Sequence, residues 1–239
     1  MDKISVIGLM GLPGTGKSSL ASMLSIKAGY KQFAFADILK DQCAQVFGCS
    51  RLLFEDRGLK NYPLYALRYA DCSDSGFVAF MRGKAEKEHG QAPSGFLLHA
   101  RTPRHTMQQY SDYYKTVNGE NYYRDWLFTA IYCSGSPLAV ISDVRYEAEV
   151  QGIFTRFKDS TIVHLTRELN PYAEEGRAKH ESDADLKNFA DLKVSMPGES
   201  EAELSAVLSR VLIHHAEKGN VQKLERRAKL IFENTTISC

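Results

Sequence analysis

The chain has 239 residues, 44% hydrophobic and 25% charged, a globular balance that excludes a largely disordered or fibrous polypeptide. A formal net charge of +1 excludes a global electrostatic drive toward nucleic acid or a membrane surface, so anion recognition must rest on a few placed cations. No apolar stretch approaches the ~20 residues that span a bilayer, and the five scattered cysteines, with no C-x-x-C pair, argue against a zinc site or disulfide framework and fit reduced thiols in cytoplasm, most of them buried.

The opening Met1-Asp2-Lys3 lacks the basic region and long apolar core of a secretory signal, so none is expected. Ile4–Gly8 is an apolar, β-branched run suited to a strand buried on both faces. Lys17–Ala28 carries Leu20, Met23 and Leu24 at helical spacing, with Gly29 as C-cap. Phe33-Ala34-Phe35 reads as a second strand, and Asp37 as the N-cap of a helix whose face is Leu39, Cys43, Val46 and Phe47. Residues 50–100 hold Pro63, Gly76, Gly83, Gly90, Pro93 and Gly95 among charges and aromatics, with one helix near Phe77–Glu88. They read as an insertion that covers a substrate.

Helices are expected over 103–116 and 121–132, the second with Tyr123, Trp126, Leu127 and Ala130 on one side. Leu138–Ser142, Thr161–Leu165 and, more weakly, Asp191–Ser195 read as strands. Leu204, Val207, Leu208, Val211 and Leu212 then mark an amphipathic helix. A separate polar helix with Leu224, Ile231 and Phe232 is a candidate for packing on the core or on a second copy, which would make a homodimer. Strands alternating with helices imply an α/β fold with a doubly wound parallel sheet flanked by helices.

Gly11-Leu12-Pro13-Gly14-Thr15-Gly16-Lys17-Ser18 follows the first strand and opens the first helix. The glycines let backbone N–H groups turn inward around a phosphate, and the helix presents its positive end to the same anion. This is the P-loop pattern. Lys17 reaches the β- and γ-phosphates of ATP, Ser18 ligates Mg²⁺, and Ser19 adjoins them on the helix. A P-loop needs a second anion for the metal at the carboxyl end of a neighbouring strand. Asp143 follows Leu138–Ser142 and is the candidate, the alternative being a turn aspartate; Arg145 then places a guanidinium where phosphate charge gathers.

Asp143-Val144-Arg145-Tyr146-Glu147-Ala148-Glu149 resembles the Asp-x-Arg-x-x-x-Glu stretch of the deoxynucleoside monophosphate kinases of bacteriophages and their bacterial relatives. Thr102-Pro103-Arg104-His105-Thr106-Met107-Gln108 is similar to that family's Thr-x-Arg-x-x-x-Gln helix start, and Phe35–Lys40 to the segment after its first helix. Arg167 with Lys179-His180-Glu181-Ser182-Asp183 resembles its lid. Ser111, where many relatives have glycine, and residues 50–100 depart from the pattern. The resemblance implies one P-loop kinase domain over 1–239, a helical acceptor-binding insertion over roughly 37–132 and a lid over roughly 167–185. It also implies transfer of the ATP γ-phosphoryl group to a deoxynucleoside 5′-monophosphate, giving the diphosphate, in the cytoplasm, a host's cytoplasm for a phage protein.

On that reading Arg104 and Arg145 clamp the acceptor phosphate, with Arg101 assisting, because guanidinium groups bind phosphate bidentately. Gln108 either reads a base edge or is a solvated helix residue; Asp37 contacts the acceptor sugar or caps its helix. Lys40 is an acceptor-side candidate. Glu149 either orients Arg145 by an ion pair or occupies an exposed helix face. Arg167 and Arg177 fold over the ATP phosphates in the lid. His214 and His215 read as surface residues, and Trp126 with Tyr122 and Tyr123 as core or interface. Kinases of other phosphorylated acceptors (dephospho-coenzyme A or phosphomevalonate) remain open, as does a nucleotide-hydrolysing switch, although the GTPase Asn-Lys-x-Asp pattern is absent.

Overall fold

A computed structural model of the chain describes residues 4–56, 58–167, 186–196 and 200–235, with side chains for all of these except 186, 187, 201 and 220–235. In chain order the elements are β1 (Ser5–Met10), α1 (Lys17–Ala28), β2 (Lys31–Phe33), α2 (Phe35–Val46), α3 (Leu52–Glu55), α4 (Ser75–His89), α5 (Pro103–Asn118), α6 (Tyr122–Cys133), β3 (Leu138–Ile141), α7 (Glu147–Arg156), β4 (Asp159–Thr166), β5 (Leu192–Ser195) and α8 (Glu201–Thr235). They divide into two compact units, one of residues 1–34 and 128–239 and one of residues 35–127. None of the described helices is long and apolar enough to cross a membrane.

The first unit is built on an all-parallel five-stranded sheet in the order β2-β3-β1-β4-β5. β1 lies at its centre and is buried along its whole length, as its β-branched composition demands of a strand covered on both faces. Ile7 and Leu9 point into a core shared with Leu20 and Leu24 of α1 and Val207, Leu208 and Val211 of α8. Gly8, between them, faces the other layer, where a side chain would meet Val144, Ile153 of α7 and Ile162. Helices therefore cover both faces, and the doubly wound α/β expectation holds.

Three expectations are corrected. β2 ends at Phe33, and Phe35 opens α2 as a buried helical residue, so Asp37 sits inside the first helical turn instead of capping it. The period-2 spacing of Phe33 and Phe35 imitates a strand. The late amphipathic and polar segments are one continuous helix, α8. Within it Gly219 passes close to β4: a Cβ there would lie 2.9 Å from Asp159 Oδ1. The side chains of Leu224, Ile231 and Phe232, the candidate dimer surface, lie outside the described ones.

The third correction is His215, which is buried rather than on the surface. Its Nε2 shares a hydrogen bond of 2.5 Å with Ser5 Oγ on β1, and its Nδ1 one of 2.7 Å with Thr161 Oγ1 on β4. The imidazole thus fastens α8 to the two central strands.

The second unit packs α2, α4 and α5 around Phe77, whose ring meets Phe47, Tyr69 and Tyr110 edge-on at 6.4, 5.5 and 4.9 Å. Asp74 caps α4 through the Phe77 N–H at 3.0 Å and accepts the Tyr110 hydroxyl at 3.0 Å. Cys43 is buried in this core, with Cys49 and Cys72 half-buried. Burial raises all three thiols, Cys72 to about 11, as inert packing thiols require.

Burial lowers the His215 pKa; Lys218 and His214 add to this, while Asp159 and Asp191 oppose it. The unfolded chain therefore takes up this proton first as pH falls, and stability contributed by the neutral ring is lost below about pH 6.5. Between pH 6.5 and 5.5 this group removes at most ~1.4 kcal/mol of stability, whatever other groups add or remove. In urea denaturation at pH 7.5 and 5.5, His215→Asn should shift the pH dependence toward greater relative stability at pH 5.5; a pH dependence equal to that of wild type would remove His215 from it.

Candidate active site

Because every strand runs parallel, the segments after β1, β3 and β4 emerge at one edge of the sheet. The turn from β1 into α1 bends at Gly11, Gly14 and Gly16, with φ of 137°, 83° and 89°. Two of these positions crowd a side chain, Gly11 against backbone and Gly16 against the movable end of Met196. A Cβ on Gly11 would lie 2.3 Å from the Leu165 carbonyl oxygen, and one on Gly16 would lie 2.9 Å from Met196 Cε. Thr15 is buried and ties the loop by donating to the Leu12 carbonyl at 2.9 Å.

The amino end of α1 lacks the usual ways of satisfying a helix terminus. Gly16 makes no side-chain cap, and the first turn holds no acidic residue. Uncapped N–H groups and the helix dipole leave that end suited to an anion. Lys17 Nζ rests on the loop itself, donating to the Gly11 and Leu12 carbonyls at 2.5 and 2.8 Å. Ser18 and Ser19 are exposed on the first turn of α1, and Leu12 and Pro13 at the tip of the loop.

Asp143 lies beside this loop. β3 pairs with β1 through Gly8 and Ile141, and the Val144 N–H donates to the Leu9 carbonyl at 3.1 Å. Asp143, half-buried between those tethers, is held level with the end of β1. Arg167, directly after β4, donates from Nη1 to the Gly14 carbonyl at 3.3 Å. The loop, an acidic group and a guanidinium are thus assembled within one unit. Arg177 and Lys179–Asp183 lie outside the described residues.

Arg145 is exposed. Its N–H and that of Tyr146 donate to Glu149 Oε2 at 2.7 and 3.1 Å, forming the capping box of α7. The Glu149 carboxylate is therefore spent on the backbone of the Asp143–Tyr146 turn and fixes the direction in which that turn leaves β3. Burial pushes this carboxyl up to about 8, the nearby Asp143 charge adding to it while the two N–H donors oppose.

The remaining candidates belong to the second unit. Thr102 caps α5 by accepting the His105 N–H at 3.1 Å, and Pro103 occupies the first helical position. Arg104 follows in the first turn, its N–H donating to the Lys60 carbonyl at 3.1 Å. Gln108, one turn on, is exposed. Arg101 is engaged internally: its guanidinium lies over the Tyr69 and Phe96 rings at 4.7 and 5.1 Å and donates to the Phe96 carbonyl at 2.9 Å.

Asp37 and Lys40 form an ion pair at 3.3 Å. A residue unmarked by any motif, Arg51, joins them and binds Asp37, Asp41 and Glu55 at 2.8, 2.5 and 2.8 Å. Desolvation works against its charge, but the carboxylates more than offset this and raise its pKa. The i,i+4 spacing of Arg51 and Glu55 was the available signal.

Among the described residues no group of three or more His, Cys, Asp or Glu can hold a metal by itself. Ser18 and Asp143 supply hard oxygen donors that suit Mg²⁺, an ion that keeps waters and substrate phosphate oxygens in its shell.

No protein-family model matches the chain, and no curated protein matches it. Among solved structures it is similar to shikimate kinase from Aquifex aeolicus (16% identity, 90% of this chain and 98% of that one, TM-score 0.39). It is also similar to a Thermus thermophilus protein (16%, 88% and 97%, TM-score 0.46) and to shikimate kinase from Bacteroides thetaiotaomicron (9%, 87% and 96%, TM-score 0.41).

Two pairs of substitutions probe this geometry. Gly29→Ala, at φ 73° with nothing within 4 Å, should cost about 1 kcal/mol in urea denaturation, and Gly11→Ala, whose Cβ would meet the Leu165 carbonyl oxygen, clearly more; equal losses would show that the close passage does not matter. Glu149→Ala should cost about 1 kcal/mol in urea denaturation by uncapping α7. Glu149→Gln, which keeps an acceptor oxygen, should cost less than half of that; equal losses would remove the capping explanation.

Proposed function

We propose that the chain is an ATP-dependent kinase whose acceptor is a phosphorylated small molecule, a deoxynucleoside 5′-monophosphate. The observation that carries this reading is the uncapped, acid-free amino end of α1, wrapped by a glycine loop with Lys17 inside and Arg167 on its Gly14 carbonyl. That arrangement suits a polyphosphate. The acceptor assignment draws on the resemblance at Asp143–Glu149 and Thr102–Gln108 and on the guanidinium groups of Arg104 and Arg145.

A phosphomonoester has its second pKa near 6 and is already nucleophilic at neutral pH, so the protein's task is positioning and charge neutralisation. An acceptor phosphate oxygen bonds to the γ-phosphorus as the bond to the β–γ bridging oxygen breaks, releasing ADP. Backbone N–H groups of Gly11–Lys17 cradle the donor phosphates, and Lys17 moves from the loop carbonyls to the transferring group. Arg167 balances the charge that spreads over the equatorial oxygens. Mg²⁺, when held by Ser18 and through water by Asp143, supplies Lewis-acid neutralisation of the same oxygens. Arg104 holds the acceptor phosphate, and in the first unit Glu149 positions Arg145 through its backbone.

A coupled ADP-release assay with dAMP, dCMP, dGMP and dTMP tests the reading. Release is expected with at least one of them, and Lys17→Ala should lower kcat at least about a hundredfold. Silence with all four, or equal release with water alone, rejects it.

A further inference from the structure

The stretch before α5 that matched no pattern contains a short arch pinned beside Arg104. At one foot the Lys60 carbonyl accepts the Arg104 N–H at 3.1 Å; at the other, Leu64 pairs with Arg101 through two backbone bonds of 2.9 and 3.3 Å. Within the arch the Tyr62 N–H donates to the Leu59 carbonyl at 2.9 Å, and Pro63 fixes one more φ. Tyr62 is therefore at most about 7 Å along the chain from either foot. This is close to the span of a sugar between a base and its phosphate.

The backbone is fixed, yet the ring is displayed. Tyr62 is 64% exposed, while Tyr69 and Tyr110 nearby in sequence and fold are buried in the core. An aromatic face held out on a tethered backbone loses little entropy when a flat ligand covers it. With two basic residues, Lys60 and Arg104, joined backbone to backbone at one foot of the arch, the combination suits a ligand that has an anionic end and a planar end.

We propose that Tyr62 is the stacking platform for the base of the acceptor nucleotide whose phosphate Arg104 holds. The proposal rests on the kinase reading above and goes beyond it in assigning base recognition to the segment before α5. Stacking is tolerant of base identity, since every base has a π-face; Tyr62 thus selects nucleotides over smaller phosphorylated compounds, not one base over another.

The test compares wild type with Tyr62→Ala, Tyr62→Leu, Tyr62→Phe and Tyr65→Ala. It uses steady-state kinetics with the preferred deoxynucleoside monophosphate and calorimetry with that compound and with 2-deoxyribose 5-phosphate, which lacks a base. Tyr62→Ala and Tyr62→Leu should raise the acceptor KM at least about fivefold, leaving the ATP KM and the affinity for 2-deoxyribose 5-phosphate unchanged. Tyr62→Phe should behave as wild type, and so should Tyr65→Ala, beyond the second foot of the arch. If Tyr62→Ala fails to fold, the Leu and Phe variants carry the comparison. An active wild type with an unchanged acceptor KM in the Tyr62 variants overturns this inference alone. So does an equal rise in Tyr65→Ala, or an equal loss for the base-free compound. A wild type inert with all four monophosphates overturns the kinase reading and this inference together.

Discussion

Gly11 leaves β1 past the Leu165 carbonyl oxygen with no room for a side chain, and the geometry of the glycine loop hangs on that close passage. It fixes where the loop begins relative to β4 and so brings Gly14 within reach of Arg167. Gly16 lies against the side-chain end of Met196, just past β5, where the neighbour can yield. The start of the loop is therefore set by the strand it passes as well as by its own turns.

The second unit shows a different economy, in which charged groups serve packing as much as recognition. Arg101 is held over two aromatic rings and a carbonyl, so its charge is committed to the interior. Arg51 gathers three carboxylates and thereby orders the first turn of α2, including Asp37. Arg104 lies in the first turn of α5 and donates its backbone N–H to the Lys60 carbonyl. Two arginines only three residues apart thus take different parts, because one lies before the cap residue Thr102 and the other after it.

The strands, the P-loop and α1 were legible because each is a local pattern: β-branched runs, glycines at fixed spacing, apolar residues at helical period. Gly29 was readable as a C-cap for the same reason and has the left-handed φ of 73° that role needs. The features that escaped depend on distant partners. His215 looked superficial because Ser5 and Thr161, its hydroxyl partners, lie 210 and 54 residues away. Arg51 stands next to no motif, and its ion pairs with Asp37 and Asp41 become visible only once α2 is laid beside it. Glu149 was read through its charge, whereas the fold uses it through hydrogen bonds to two N–H groups, a role local in sequence but masked by the expectation of an ion pair. The aromatic period of Phe33 and Phe35 misled because period 2 also arises by chance where a strand meets a helix.

His215 has a mechanical consequence for the loop at the far edge of the sheet. It rivets β1 to β4 at their amino ends through Ser5 and Thr161, while Gly11 and Leu165 interlock the same strands at their carboxyl ends. A pair of strands held at both ends resists sliding, so a rearrangement of Gly11–Lys17 around a ligand is absorbed within the loop and not passed on as shear through the sheet. The glycine loop can reshape on a rigid anvil, and the histidine at the opposite edge is part of what makes the anvil rigid.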